Sequence, residues 1–267
     1  MTSAGSSAPD LLATIVAASR TSAAFRERHC SLAQLQRAQQ RTPRGAAFAD
    51  ALRLSTTPRV IAECKRRSPS RGILRQEYDP ARHARAYAEG GAAAISVLTE
   101  PTFFDGAVSH LSAVRAVVDL PILRKDFIVT EYQVHEAAAL GADAILLIAG
   151  AVDDEALERL HALACRLDLA VLVEVHDEEE LGRAWSAGAR IVGVNSRNLR
   201  TLAVDLSVLD RVADAIPDDV IAVAESGLRD RRDLTRLAAM GYDAFLVGER
   251  LITQPDPGAA LRALRAV

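Results

Sequence analysis

The sequence predicts a (β/α)8 barrel with an N-terminal helical extension, and three observations carry that reading. Eight apolar, strand-like runs near residues 59–65, 93–98, 121–125, 143–148, 169–175, 190–194, 220–224 and 243–247 alternate with amphipathic helical segments. Each interval is wide enough for a crossover helix. Unbroken apolar runs such as Ala144-Ile145-Leu146-Leu147-Ile148 suit a parallel sheet buried on both faces. The third observation is a repeat: Gly91-Ala92-Ala93-Ala94-Ile95, Gly141-Ala142-Asp143-Ala144-Ile145, Gly188-Ala189-Arg190-Ile191-Val192 and Gly241-Tyr242-Asp243-Ala244-Phe245. It recurs roughly every fifty residues, placing a left-handed helix cap before strands two, four, six and eight. Four such double units make a closed eight-stranded barrel. An open doubly wound sheet would be announced by G-x-G-x-x-G after the first strand, which the chain lacks.

Residues 1–9 are rich in Ser, Ala, Gly and Pro and are expected to be a disordered tail outside the fold. Residues 10–57 read as the helical extension and 58–267 as the barrel, one domain overall. Asp10 caps a helix carrying Leu11, Leu12, Ile15 and Val16. Ser31-Leu32-Ala33-Gln34 opens a second helix, and a third runs from about Ala46 to Leu52.

Strand one ends in charge. Ile61, Glu63 and Lys65 share a face by strand alternation, which sets an acid beside a base where the loop begins. Of 32 cationic residues, only Lys65 and Lys125 are lysine. Arginine keeps its proton near neutral pH, whereas an ammonium can be tuned by its surroundings, so two lysines kept at strand ends point to proton chemistry. The Ser-Pro-Ser-Arg-Gly composition from Arg66 to about Arg75 predicts a mobile lid.

In a barrel of this kind the site is built from the loops after the strands. The candidates there are Glu63, Lys65, Thr99, Glu100, Lys125, Asp126, Glu174, Asn195, Arg197, Glu225, Ser226, Gly248 and Glu249. Glu174 stands out because it interrupts Val171-Leu172-Val173 and Val175, and a carboxylate inside an apolar strand is costly unless paired or catalytic. Strands seven and eight end in Glu225-Ser226-Gly227-Leu228 and Val247-Gly248-Glu249-Arg250, glycine turns that read as a phosphate cradle or as simple chain reversal. Aromatics are 4% of the chain, yet Phe103, Phe104 and Phe127 cluster past strands two and three, suiting a pocket for an apolar ring. Core packing explains Phe103 equally well.

A net charge of −3 gives no general attraction to nucleic acid or anionic membrane. Cys30, Cys64 and Cys165 are odd in number and widely spaced, which indicates neither a disulfide framework nor zinc and fits a reducing cytoplasm. The histidines show no metal spacing, and no nucleophile sits in a G-x-S-x-G elbow. No membrane span or signal peptide is expected.

Jointly, Ile61-Ala62-Glu63-Cys64-Lys65-Arg66-Arg67-Ser68-Pro69-Ser70, Ser96-Val97-Leu98-Thr99-Glu100, Leu123-Arg124-Lys125-Asp126-Phe127, Val173-Glu174-Val175-His176, Gly193-Val194-Asn195-Ser196-Arg197-Asn198-Leu199 and Ala224-Glu225-Ser226-Gly227 resemble the indole-3-glycerol-phosphate synthase family of tryptophan biosynthesis. The resemblance runs through nearly the whole chain. It implies ring closure, decarboxylation and dehydration of 1-(2-carboxyphenylamino)-1-deoxyribulose 5-phosphate without a cofactor or metal. By that resemblance, Glu63, Lys65, Lys125, Glu174, Asn195 and Ser226 are the catalytic set. Lys125 is the acid on the ribulose carbonyl, Lys65 binds the carboxylate, and the division of acid duty between the two lysines stays open. Glu174 serves as base or cation stabiliser, and Glu63 organises the lysines. Ser68, Asn195 and Ser226 hydrogen-bond substrate, supported by Arg197. Gly227, Gly248 and Glu249 supply phosphate-binding backbone, while Phe104, Phe127 and Leu146 enclose the ring. A phosphorylated small molecule is the expected partner, and the chain a monomer or weak homodimer. Cys64 stands where the family often has Val, and Arg250 where a small residue is common, and the second departure leaves the make-up of the phosphate rim undecided. Phosphoribosylanthranilate isomerase or the tryptophan synthase α subunit would share the cradle but lack the helical preface and paired lysines. A non-catalytic phosphosugar-binding barrel would need no acid and base.

Overall fold

The computed structural model describes residues 10–53 and 57–266, so the tail assigned to residues 1–9 lies outside the described residues. Eight parallel strands close into a barrel: β1 (Arg59–Cys64), β2 (Ala94–Leu98), β3 (Ile122–Lys125), β4 (Ala144–Ile148), β5 (Ala170–Val175), β6 (Ile191–Asn195), β7 (Ile221–Glu225) and β8 (Ala244–Val247). Neighbours follow chain order and β8 returns to β1, with Arg59 opposite Ala244 and Ala62 opposite Val247. Each strand start and end falls within a residue of the expected run. The four repeat glycines adopt positive φ, from 84° at Gly91 to 99° at Gly241, the left-handed caps that only glycine adopts without strain.

Alternation along the strands sorts the core into two layers. Val60, Ala62, Cys64, Ile95 and Val97 face outward under the helical ring. Ile61, Leu123, Leu146, Leu172, Ile191, Val223 and Leu246 fill the barrel interior. The outer helices begin at side-chain caps, among them Asp79, Thr130, Asp153, Asp177, Asp230 and Asp256, whose oxygens accept from first-turn N–H groups that would otherwise lack partners.

The extension forms α1 (Leu11–His29), α2 (Leu32–Ala38) and α3 (Gly45–Leu52). Asp10 caps α1, and Ser31 with Gln34 makes a reciprocal capping box on α2. α3 closes the barrel floor. Phe48 and Leu52 enter the interior cluster, and Gly45 lies so close to the backbone of Asp168, Leu169 and Ala170 that no Cβ fits. α1 lies at the opposite end, its Leu12 and Ile15 joining the same cluster from above.

The segment after β1 that is expected to be a mobile lid carries a short hairpin that its composition does not suggest. Arg67–Ser68 pairs antiparallel with Gly72–Ile73, and Gly72 takes φ 69° at the turn. Ion pairs of Arg66 with Asp105 and of Arg71 with Glu249 tie this hairpin across the barrel mouth.

Candidate active site

A cavity of about 520 Å³ opens at the C-terminal ends of the strands. It brings together Glu63, Lys65, Ser68, Phe104, Lys125, Phe127, Leu146, Glu174, Asn195, Arg197, Ser226, Gly227, Gly248 and Glu249, the residues to which the family resemblance gives a site role.

Strand alternation aims Glu63 and Lys65 inward together, and Lys65 Nζ lies 2.5 Å from Glu63 Oε2. Gly248 makes this possible, since a Cβ there would collide with the Glu63 carboxylate. On the facing wall Lys125 Nζ donates to Glu174 Oε2 at 3.0 Å and stands 3.6 Å from Glu225 Oε2. Asn195 Nδ2 donates to the other Glu174 oxygen at 2.9 Å, while its own carbonyl accepts from the Arg197 backbone N–H. The Arg197 guanidinium braces the following loop by donating to Leu202 O. Gly193 leaves space for the Glu225 carboxylate, where a Cβ would collide with Oε1.

Burial opposes the Lys125 charge, but Glu174, Glu225 and Glu63 outweigh it and hold the ammonium above its usual range. Burial likewise opposes the Glu174 charge, yet Lys125, His176 and the Asn195 amide draw its pKa down and keep it ionised. Glu225 goes the other way. Burial, then repulsion from Glu174 and Glu63, push it up to about 8 against the pull of Lys125, so it is largely protonated at neutral pH. Two carboxyls thus flank one ammonium in opposite protonation states, the arrangement that lets one serve as base and the other hold a proton.

Phe104 and Phe127 form one wall, ring centroids 6.0 Å apart, and Leu146 faces them from the interior. Phe103 packs against the interior cluster and does not line the cavity, which decides its reading as packing. At the mouth Ser226 and Gly227 take consecutive left-handed conformations, φ 65° and 72°, turning the chain sharply after β7. Gly248 precedes the short helix Glu249–Ile252 after β8. Arg250 Nε donates to Arg229 O, so this unusual arginine lies along the rim on a backbone anchor.

Three strand-end candidates are tied into the frame, and of these only Asp126 also lines the cavity. Thr99 donates to Asp126 Oδ2 at 2.6 Å, and both bind the fully buried Arg124. Glu100 caps the helix Pro101–Phe104. Conversely, the sequence reading gave Glu225 no role, although Ile221-Ala222-Val223-Ala224-Glu225 repeats the pattern of a carboxylate closing an apolar strand. Ile15 of α1 also lines the cavity, a contact between distant chain segments that no local pattern signals. Among the described residues no three His, Cys, Asp or Glu side chains are grouped as a metal would require.

The sequence profile of a family described as "Indole-3-glycerol phosphate synthase" matches residues 12–264. The chain belongs to this family. A relative of that name from Nocardioides sp. (strain ATCC BAA-499 / JS614) is 56% identical over 208 residues, covering 78% of this chain and 80% of its own. One from Streptomyces griseus subsp. griseus is 50% identical over 256 residues, covering 96% and 95%. Among solved structures, the chain resembles thiamine phosphate pyrophosphorylase from Pyrococcus furiosus (TM-score 0.60, 21% identity, 78% of this chain and 93% of that one). It also resembles 3-hexulose-6-phosphate synthase (TM-score 0.63, 19% identity, 78% and 98%). At those identities the likeness concerns the barrel fold. No helix among the described residues is long and apolar enough to cross a membrane.

Proposed function

We propose that this chain converts 1-(2-carboxyphenylamino)-1-deoxyribulose 5-phosphate to indole-3-glycerol phosphate by ring closure, decarboxylation and dehydration. The observation that carries the proposal is the Lys125–Glu174–Glu225 cluster facing the Lys65–Glu63 pair beneath an aromatic wall. A planar anilino ring fits between Phe104, Phe127 and Leu146, with its carboxylate toward the Lys65 ammonium. That pose sets the ribulose ketone against Lys125.

The chemistry then follows from charge. The ring carbon bearing the carboxylate attacks the ketone carbon, and Lys125 gives its proton to the oxygen that becomes a hydroxyl. Carbon dioxide leaves and its bonding pair restores the aromatic ring. The hydroxyl on the former ketone carbon takes a proton from the Lys65 ammonium and departs as water, and the ionised Glu174 stabilises the resulting cation and accepts the proton lost from the carbon next to nitrogen. Glu63 holds Lys65 in place, and Ser68, Asn195 and Ser226 hydrogen-bond the sugar hydroxyls, with Arg197 fixing Asn195. The turns at Gly227, Gly248 and Glu249 take the phosphate through backbone N–H groups. The hairpin after β1 acts as the lid, and its amide exchange should slow when a substrate analogue is bound. Incubation of purified protein with the carboxyphenylamino-deoxyribulose phosphate should give indole absorbance and fluorescence. No product at micromolar enzyme would reject the assignment.

A further inference from the structure

Three polar groups favour the ionised form of Glu174, of which Lys125 and Asn195 belong to the cavity wall. His176 does not, and it sits behind the carboxylate. It follows β5 by one residue, and its Nε2 lies 3.6 Å from Glu174 Oε1. That nitrogen is buried and has no hydrogen-bond partner among the described residues. The ring is anchored from its other side. Nδ1 lies 3.0 Å from Glu180 Oε2, the same oxygen that accepts from the His176 backbone N–H at 2.9 Å. Glu180 stands in the first turn of the helix Glu178–Ser186, and its second oxygen occupies space left by Gly150, where a Cβ would collide.

We propose that His176 is a positioning residue, an imidazolium bridging Glu180 and Glu174 that aims the Glu174 carboxylate into the cavity and keeps it ionised. This rests on the role given to Glu174 above. A neutral ring would donate from Nδ1 to Glu180 and turn a lone pair at Nε2 toward the Glu174 oxygen, which is repulsive. Protonation at both nitrogens turns that contact into attraction. The charged groups facing the ring are Glu174 from β5, Glu180 from the following helix and Glu225 from β7, with Lys125 of β3 beyond Glu174. Burial disfavours the charged ring, but the Glu180 bond and the Glu174, Glu180 and Glu225 carboxyls raise its pKa.

The test combines side-chain NMR titration of His176 with kcat and KM as functions of pH. In the parent, His176 should titrate above 6.5, and its pKa should fall in Glu174→Gln and Glu180→Gln. Loss of the imidazolium in His176→Ala should move the acidic limb of kcat up by about one pH unit, because Glu174 then protonates more easily. The same variant should lose about tenfold in kcat near neutral pH, with KM changed by no more than about twofold. His176→Gln, which keeps a donor without the charge, should recover most of kcat while its limb stays displaced. Titration at or below 6.5 in the parent, or an unmoved limb in both variants, overturns the proposal. A parent that makes no indole product would reject the proposed function instead, and the NMR arm would still decide the His176–Glu174 pair.

Discussion

The two ends of this barrel both bury carboxylates, and they treat them in opposite ways. At the floor Asp143 is fully buried, and donors outnumber it. Arg41 Nη2 and the Arg44 backbone N–H each reach Oδ1 at 2.9 Å, while Arg115 Nη1 at 2.9 Å and the Ile122 N–H at 3.1 Å reach Oδ2. At the mouth three buried carboxyls, Glu63, Glu174 and Glu225, share two lysines, and Glu225 Oε1 has no partner among the described residues. The floor is electrostatically satisfied and fastens the extension to the barrel through Arg41 and Arg44. The mouth keeps a surplus of acid, and that surplus forces one carboxyl to hold a proton beside an ionised one. Polar burial serves stability where every group is paired, and reactivity where one is left short.

The largest break in this contrast should come from Lys125→Arg. Arginine retains the charge, but its proton is too tightly held and its planar fork cannot take the position of a compact ammonium. A loss of roughly 10² to 10⁴-fold in kcat is expected, the range for a removed general acid, with phosphate-dependent binding preserved. Turnover within about threefold of the parent would make Lys125 an electrostatic anchor only. Lys65→Arg should affect kcat less and KM more, if its task is to hold the carboxylate.

The floor should respond in the opposite currency. Asp143→Ala leaves Arg41 and Arg115 facing a buried gap, and removal of one partner from a buried pair costs about 3 kcal/mol. Denaturant midpoints should fall accordingly, while kcat/KM of the folded fraction stays close to the parent's. A large fall in kcat/KM with unchanged stability would reverse the assignment of the two ends. Deletion through residue 45 should impair both properties, because it removes Arg41 and Arg44 from the floor and Ile15 from the cavity.

The barrel was legible because its signals are local: unbroken apolar runs, capping residues and glycines that must turn left-handed can each be read within a few positions. The two lysines were legible for a compositional reason, standing out against 30 arginines. Charge state was not legible. Glu63, Glu174 and Glu225 close their strands in similar apolar sequence, and only their assembly around Lys125 drives Glu174 and Glu225 apart. The hairpin after β1 was hidden because its order depends on Asp105 and Glu249, residues brought near only by barrel closure.

The effect that is smallest per pH unit tests the surplus of acid most directly. The Glu225 carboxyl titrates near 4.5 when exposed and at about 8 in the folded chain. Between those values the folded state binds a proton that the unfolded state has released. Stability must therefore fall as pH rises through the window, with a slope of at most about 1.4 kcal/mol per pH unit from this one group. Glu225→Gln keeps the size and removes the titration. Denaturant unfolding at intervals from pH 5 to pH 8 should show a shallower decline for Glu225→Gln than for the parent, and the variant should be the more stable at pH 8. Asp143→Asn supplies the contrast, since a carboxylate surrounded by donors should cost stability when neutralised across the whole range. Parallel curves for parent and Glu225→Gln would mean that Glu225 is ionised in the folded protein, and that the mouth holds no spare proton.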